Sequence, residues 1–269
     1  MSLEKVVDPV FDEIIKKATL RGFNLQQYKT SFLKRRVDTR LRAKELGTYS
    51  QYLSLLDNDP SEYDALFRSV SINVTEFFGN KEVFLAFSNT IMPQLLNEKL
   101  QHGMIRIWSA GCATGEEAYS LSILLNEVLH TSTHEFRIYA TDISVKAIEF
   151  AKQGKYSSLA LKNIPKELLT KYFHPLSDDE YQISQEIKNS VLFNVGDLAS
   201  FHINYLDAIF CRNVLIYHGK ETHDSIFKKF HSSLKTSGYL ILGMDESIRG
   251  EHMSMFNSLM PRQRIYQKR

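Results

Sequence analysis

Residues 105–120 read IRIWSAGCATGEEAYS, and this stretch decides the fold. Met104–Trp108 is a short apolar run that ends in Ser109-Ala110-Gly111, and from Glu116 to Leu129 the apolar residues recur at helical spacing. A strand that runs through a glycine loop into a helix is the repeating unit of parallel α/β sheets. Glycine there lets the chain turn sharply and lets backbone approach a ligand closely. Gly111 and Gly115 are spaced G-x-x-x-G, not G-x-G-x-x-G, and no Lys-Ser/Thr pair follows, so the loop is neither a dinucleotide fingerprint nor a P-loop. Glu116 and Glu117 at the helix start repel a phosphate that the N-terminal amides would otherwise attract. The stretch therefore reads either as a plain strand-to-helix turn or as a loop for a nucleotide-like ligand with hydroxyls and positive charge.

Downstream the alternation continues. Arg137–Thr141, Val191–Val195, Leu206–Cys211 and Tyr239–Gly243 read as strands, and Ser144–Lys152 and His223–Leu234 as helices. Strands and helices of this size in alternation predict a mostly parallel sheet with crossover helices. Upstream there is no strand signal before residue 71. Val10, Phe11, Ile14, Ile15 and Ala18 share a helical face, as do Leu33, Val37 and Leu41, and Leu53–Leu56 and Tyr63–Val70 suggest two more short helices. The division expected is a helical domain over 1–71, a structured linker over 72–100 and an α/β domain over 101–269, with a small insertion inside the irregular stretch 153–190.

The chain has 269 residues, 43% hydrophobic and 24% charged, with a net charge of +2. That composition excludes disordered, collagenous and coiled-coil classes. The near-neutral total argues against a protein that coats nucleic acid. Two cysteines, Cys112 and Cys211, make no disulfide framework and favour a reducing cytoplasm. MSLEKVVDPVFDEIIKKA lacks the apolar core of a secretory signal, and no window approaches the roughly 18 apolar residues of a membrane span. His130 and His134 lack a third ligand nearby, so no metal is expected.

Three further segments carry chemistry. Asp142 closes the second strand in IYATDI, where a carboxylate either accepts from both ribose hydroxyls or caps the helix near Ser144. LDAIFCRNVLIYH places Arg212 and Asn213 at the end of a central strand, with Tyr217 on the same face as Asn213 if the chain turns helical. Lys29–Lys44 holds seven basic residues against Asp38, a local charge of 7 − 1 = +6, and suits an acidic partner. It has no aromatic interleaving for single-stranded nucleic acid. In SINVTEFFGNKEVF, Asn73 and Thr75 either cap a helix or reach over a cleft, and Phe77 and Phe78 are simplest as packing between the two parts.

Taken together, VTEFF, WSAGCATGEEAYS, ATDIS and FCRNVLIYH followed by GYLILG resemble the CheR-type chemotaxis receptor methyltransferases, from about residue 10 to the C-terminus. The resemblance implies an all-α domain followed by a Rossmann-like, S-adenosylmethionine-binding domain. It implies methylation of glutamate side chains on the cytoplasmic helices of chemoreceptors, giving methyl esters and S-adenosylhomocysteine, in the cytoplasm and without membrane insertion or nucleic acid. By position it makes Asn73, Thr75, Gly111, Glu117, Asp142, Asp197, Leu198, Arg212 and Asn213 cofactor-binding residues. Tyr217 falls near the reacting methyl group, and Lys34, Arg35, Arg36, Arg40 and Arg42 on a receptor-docking helix. Asp197-Leu198 stands where the family usually has Asn-Leu. The family pattern T-x-F-F-R ends here in Gly79, so the arginine is missing. Either Lys81 replaces it, or turnover is weak, or the chain is a cofactor-binding regulatory module. A DNA-amino methyltransferase is disfavoured, since the chain has no Pro-Pro.

Overall fold

The computed structural model describes residues 8–71, 75–98, 103–130 and 134–269. They divide into two units, one made of the first 72 residues with Tyr217–His223, the other of residues 73–216 and 224–269.

The first unit holds four helices, α1 (Pro9–Leu20), α2 (Thr30–Ala43), α3 (Tyr49–Asn58) and α4 (Ser61–Val70). Asp8 caps α1 by accepting from the Val10 N–H, with Pro9 at the first helical position, where its missing N–H costs nothing. Thr48 and Gln51 form a reciprocal capping box on α3. The apolar faces meet in one core that includes Phe11, Ile14, Leu33, Val37, Tyr52, Leu56 and Leu66. The segment Tyr217–His223 completes this unit. Tyr28 pairs with His218 as an isolated antiparallel bridge, the Lys29 N–H donates to the Tyr217 carbonyl at 2.9 Å, and the Tyr217 ring lies 5.0 Å from that of Phe32.

The second unit begins with α5 (Lys81–Ala86), which continues through a π-helical turn, Phe87–Ile91, into α6 (Met92–Glu98). Then come β1 (Ile105–Ala110), α7 (Glu116–Leu129), β2 (Phe136–Asp142) and α8 (Val145–Gln153). The insertion follows, with β3 (Lys155–Ser157), α9 (Lys166–Tyr172), β4 (Phe173–Pro175) and β5 (Glu180–Ile183), whose strands form a separate antiparallel sheet in the order β3-β5-β4. The chain returns through α10 (Gln185–Asn189), β6 (Val191–Val195), β7 (Leu206–Cys211), α11 (Lys220–Ser233) and β8 (Leu234–Leu242), and ends with β9 (Phe256–Met260) and β10 (Ile265–Lys268).

The main sheet runs β6-β2-β1-β7-β8-β10-β9. Its first five strands are parallel, and β10 is antiparallel to both neighbours. Every residue of β7 is buried, as expected of a strand with helices over both faces. Alternate side chains serve opposite layers. Ile105, Ile107, Ala208 and Phe210 pack with α7, whereas Trp108, Ala110, Ile209 and Cys211 pack with α11. Strand order reverses between β1 and β7, and in such sheets the crevice beyond the carboxyl ends at that reversal is where a ligand binds.

One expectation about packing changes, and one pair of strands was not foreseen. Phe77 packs inside the α/β unit against the insertion, edge-on to Tyr156 at 4.9 Å and to Phe173 at 5.5 Å, and not between the two parts. The C-terminal pair β9 and β10 goes unread in the sequence analysis. Its residues are short and half polar, and only pairing with β8 makes strands of them.

Candidate functional site

The loop after β1 is fixed by hydrogen bonds from several directions. The Gly111 and Cys112 N–H groups donate to the Thr141 carbonyl at 2.8 and 2.9 Å, and the Ala113 N–H donates to Asp142 Oδ2 at 2.9 Å. Gly111 has φ +84, and a Cβ there would collide with Val214, so only glycine lets the β1 loop and the β7 loop lie side by side. Ala113 takes φ +46, a left-handed conformation costly for a residue with a side chain.

Asp142 stands at the carboxyl end of β2. Its Oδ1 accepts from the Ser144 N–H at 2.8 Å, but the cap of α8 is Ser144 itself, whose hydroxyl accepts from the Ala147 N–H. The carboxylate thus braces the β1 loop and retains lone pairs for a further donor. Burial pushes its pKa up, against the pull of the Ser144, Ala113 and Ile143 amides. Glu117, on the first turn of α7, accepts from Ser109 Oγ at 2.8 Å and from Arg212 Nη1 at 3.2 Å. Burial pushes the Glu117 carboxyl up too, opposed by Arg212 and Ser109. Glu116 accepts from Thr114 Oγ1 at 2.7 Å. The Cys112 thiol is raised first by burial and then by the charges of Asp142, Glu117 and Glu116, so three carboxylates surround this loop. Against them stands the Arg212 guanidinium, only 6% exposed. Three carboxyl groups against one guanidinium make the loop acidic, which suits a cationic ligand with hydroxyls. These acceptors fit S-adenosylmethionine, with its sulfonium and ribose.

Arg212 leaves the end of β7 and also donates through Nη2 to the Gly79 carbonyl at 2.8 Å. It thereby joins α7, β7 and the 75–79 loop. Asn213 takes φ +61 and the chain after it forms only a 3₁₀ turn, Leu215–Tyr217. The shared helical face expected for Asn213 and Tyr217 does not form, because a left-handed residue breaks the helix at its start. Tyr217 clusters with the helical unit, while Asn213 stays with the sheet. Asp197 follows β6 and accepts from the Ala199 N–H, and Leu198 is buried in the α11-side core. Thr75 lies half exposed in coil, and Asn73 lies outside the described residues.

Glu246, not singled out in the sequence, braces the loop that carries Asn213. Its buried carboxylate accepts from the N–H groups of Asn213, Val214, Leu215 and Gly243 at 3.0, 2.8, 2.6 and 2.7 Å. Successive amides that converge on one anion form a nest, and here the anion is built in and sets the loop that carries Asn213. An acidic residue three positions beyond Gly243, at the end of a strand next to β7, was the only signal.

Not all of the charge on α2 is left to solvent. Arg40, one of the residues expected to dock, is engaged within the helical unit. It forks onto Glu62 at 2.7 and 2.9 Å, Glu62 is 2% exposed, and Lys44 and Tyr52 complete the cluster at 3.3 and 2.9 Å. Its charge is used inside the fold. Lys34 sits over the Phe11 ring and Arg36 over the Phe32 ring, while Arg35 and Arg42 are exposed.

The strand order, the acidic glycine loop after β1 and Asp142 at the end of β2 fit an S-adenosylmethionine-dependent methyltransferase. Residues 73–265 match the CheR methyltransferase, SAM binding domain, and residues 15–71 match the CheR methyltransferase, all-alpha domain. The chain belongs to the CheR methyltransferase family. It is 34% identical over 238 residues to the chemotaxis protein methyltransferase of Borreliella burgdorferi, covering 85% of this chain and 84% of that one. It is 32% identical over 234 residues to that of Salmonella typhimurium, covering 84% and 79%. Among solved structures, an S-adenosylmethionine-dependent methyltransferase from Mesorhizobium loti aligns with a TM-score of 0.31 at 15% identity, over 56% of this chain and 51% of that one. No helix among the described residues is long and apolar enough to cross a membrane.

Proposed function

We propose that the protein methylates glutamate side chains on the cytoplasmic helices of chemoreceptors, yielding methyl esters and S-adenosylhomocysteine. The observation that carries this reading is the likeness to chemotaxis protein methyltransferases over more than four fifths of the chain. The exposed cations on α2, Arg35 and Arg42 with the half-buried Lys34 and Arg36, suit an acidic helical partner.

S-adenosylmethionine supplies a methyl group on a positively charged sulfur. A glutamate side chain, with a pKa of about 4.3, is ionised at neutral pH and is a nucleophile without a base. The work left to the chain is orientation, worth up to ~7–11 kcal/mol in well-placed systems. In this reading Asp142 holds the ribose, Gly111 and Glu117 line the loop, Thr75, Asn73 and Arg212 flank the donor, and Asp197, Leu198 and Asn213 shape the adenosine end. The Tyr217 hydroxyl places the incoming carboxylate.

A second reading is a cofactor-binding regulatory module, and one observation favours it. Gly79 offers no cation, and a Cβ there would lie 2.9 Å from Glu76 Cγ, so an acidic side chain occupies that approach. Lys81 is exposed on the first turn of α5. Incubation with methyl-labelled S-adenosylmethionine and a receptor cytoplasmic domain separates the two. Base-labile label on the receptor supports the enzyme; tight cofactor binding with no transfer supports the module.

A further inference from the structure

The insertion reaches the loop after β1 through the Tyr156 hydroxyl. Tyr156, on β3, is 2% exposed, and its Oη donates to the Thr114 carbonyl at 2.7 Å. Its ring is held edge-on by Phe77 at 4.9 Å, Phe150 at 5.6 Å and Tyr119 at 6.2 Å, which aims the hydroxyl. Thr114 lies between Ala113, at φ +46, and Gly115, at φ +96. Ala113 thus holds a conformation costly for a residue with a side chain, while Gly115 takes one that glycine adopts freely. Such a loop persists only where its surroundings over-determine it. Asp142 fixes the Ala113 amide on one side, and Tyr156 fixes the Thr114 carbonyl on the other. Burial pushes the Tyr156 phenol well above its ordinary value, so it keeps its proton and donates.

We propose that Tyr156 is a positioning residue for the cofactor: its hydroxyl holds the Gly111–Gly115 loop in the strained shape that receives S-adenosylmethionine, which makes the insertion part of the cofactor site. The proposal rests on the reading of that loop as the cofactor loop. Tyr156 touches the loop and not the reacting atoms, so its loss acts on affinity and not on the transfer step.

The test uses the full-length protein and calorimetric titration with S-adenosylhomocysteine. Tyr156→Phe keeps the ring and removes one hydrogen bond, and we expect a Kd about fivefold weaker. The KM for S-adenosylmethionine should rise in proportion, with kcat unchanged at saturation. Tyr172→Phe is the control, because Tyr172 is equally buried but its hydroxyl donates to Glu127 Oε1 near the C-terminal end of α7, away from the loop. It should leave Kd within about twofold, since no loop contact is lost. Equal weakening by both variants would reduce Tyr156 to general packing and overturn the proposal. An unchanged Kd for Tyr156→Phe, with Asp142→Ala still weakening binding, would overturn it and leave the cofactor loop in place. Unchanged affinity in both Tyr156→Phe and Asp142→Ala would remove the loop reading and the proposal together.

Discussion

Arg40→Met tests whether α2 spends this arginine on the fold. The substitution keeps the aliphatic stem and removes the fork that binds Glu62 at 2.7 and 2.9 Å. Removing one partner of a buried pair costs about 3–5 kcal/mol, because the other charge is stranded. Here Lys44 at 3.3 Å and the Tyr52 hydroxyl at 2.9 Å remain, and Arg40 is 21% exposed, so we expect about 2–3 kcal/mol, at or below the lower limit of that range. If the chain unfolds as one, that lowers Tm by about 5–10 °C; if the helical unit melts alone, by about 10–20 °C. The pH dependence gives a second reading. Burial pushes the Glu62 carboxyl up, but hydrogen bonds from Arg40, Tyr52 and Lys44 outweigh it, and the net direction is down. Its contribution is therefore present above the unfolded value of about 4.3 and lost as pH falls through the lower folded value. In Arg40→Met the balance moves toward burial, so the charged carboxylate is penalised at neutral pH and relieved on acidification. The stability gap between the two proteins should narrow from pH 7 to pH 4. Urea unfolding followed by circular dichroism at both pH values measures it. Adding Glu62→Gln should recover at least about half the loss, since no charge is then stranded. A variant as stable as the parent, or a gap independent of pH, would refute an internal role for Arg40.

Three other outcomes follow from the site. Asp142→Ala should weaken S-adenosylhomocysteine binding about tenfold or more by calorimetry, since it removes a charged acceptor and the brace on Ala113; unchanged affinity would contradict the ribose assignment. Arg35→Glu with Arg36→Glu and Arg42→Glu should lower receptor methylation several-fold, most strongly at low salt, with cofactor affinity and Tm near those of the parent. A parallel fall in all three would indicate misfolding. Gly79→Arg should raise kcat if a missing guanidinium limits turnover, provided Glu76 Cγ yields the space; a flat rate would mean that another group compensates.

The sheet was legible because its parallel strands are buried on both faces, and β7 announces itself as LDAIFC without polar alternation. The acidic glycine loop was legible as a strand-to-helix turn, because glycine and paired glutamates stand at a strand end. The pairing of charges was not. Seven cations on Lys29–Lys44 look alike in sequence, and only a glutamate 22 residues from Arg40 shows which of them is spent inside the fold. Glu246 and Tyr156 act on backbone groups of distant loops, and backbone amides and carbonyls carry no residue identity by which such partners could be matched.

The membership of Tyr217–His223 in the helical unit has a practical consequence for anyone dividing this polypeptide. Cleavage near residue 72 does not release two self-sufficient pieces. The C-terminal fragment would carry off seven residues whose folding partners lie in the other half, and the N-terminal fragment would lose the bridge partner of Tyr28. Shuffling experiments between relatives should exchange those seven residues together with the front helices, or both hybrids will inherit a mismatched seam.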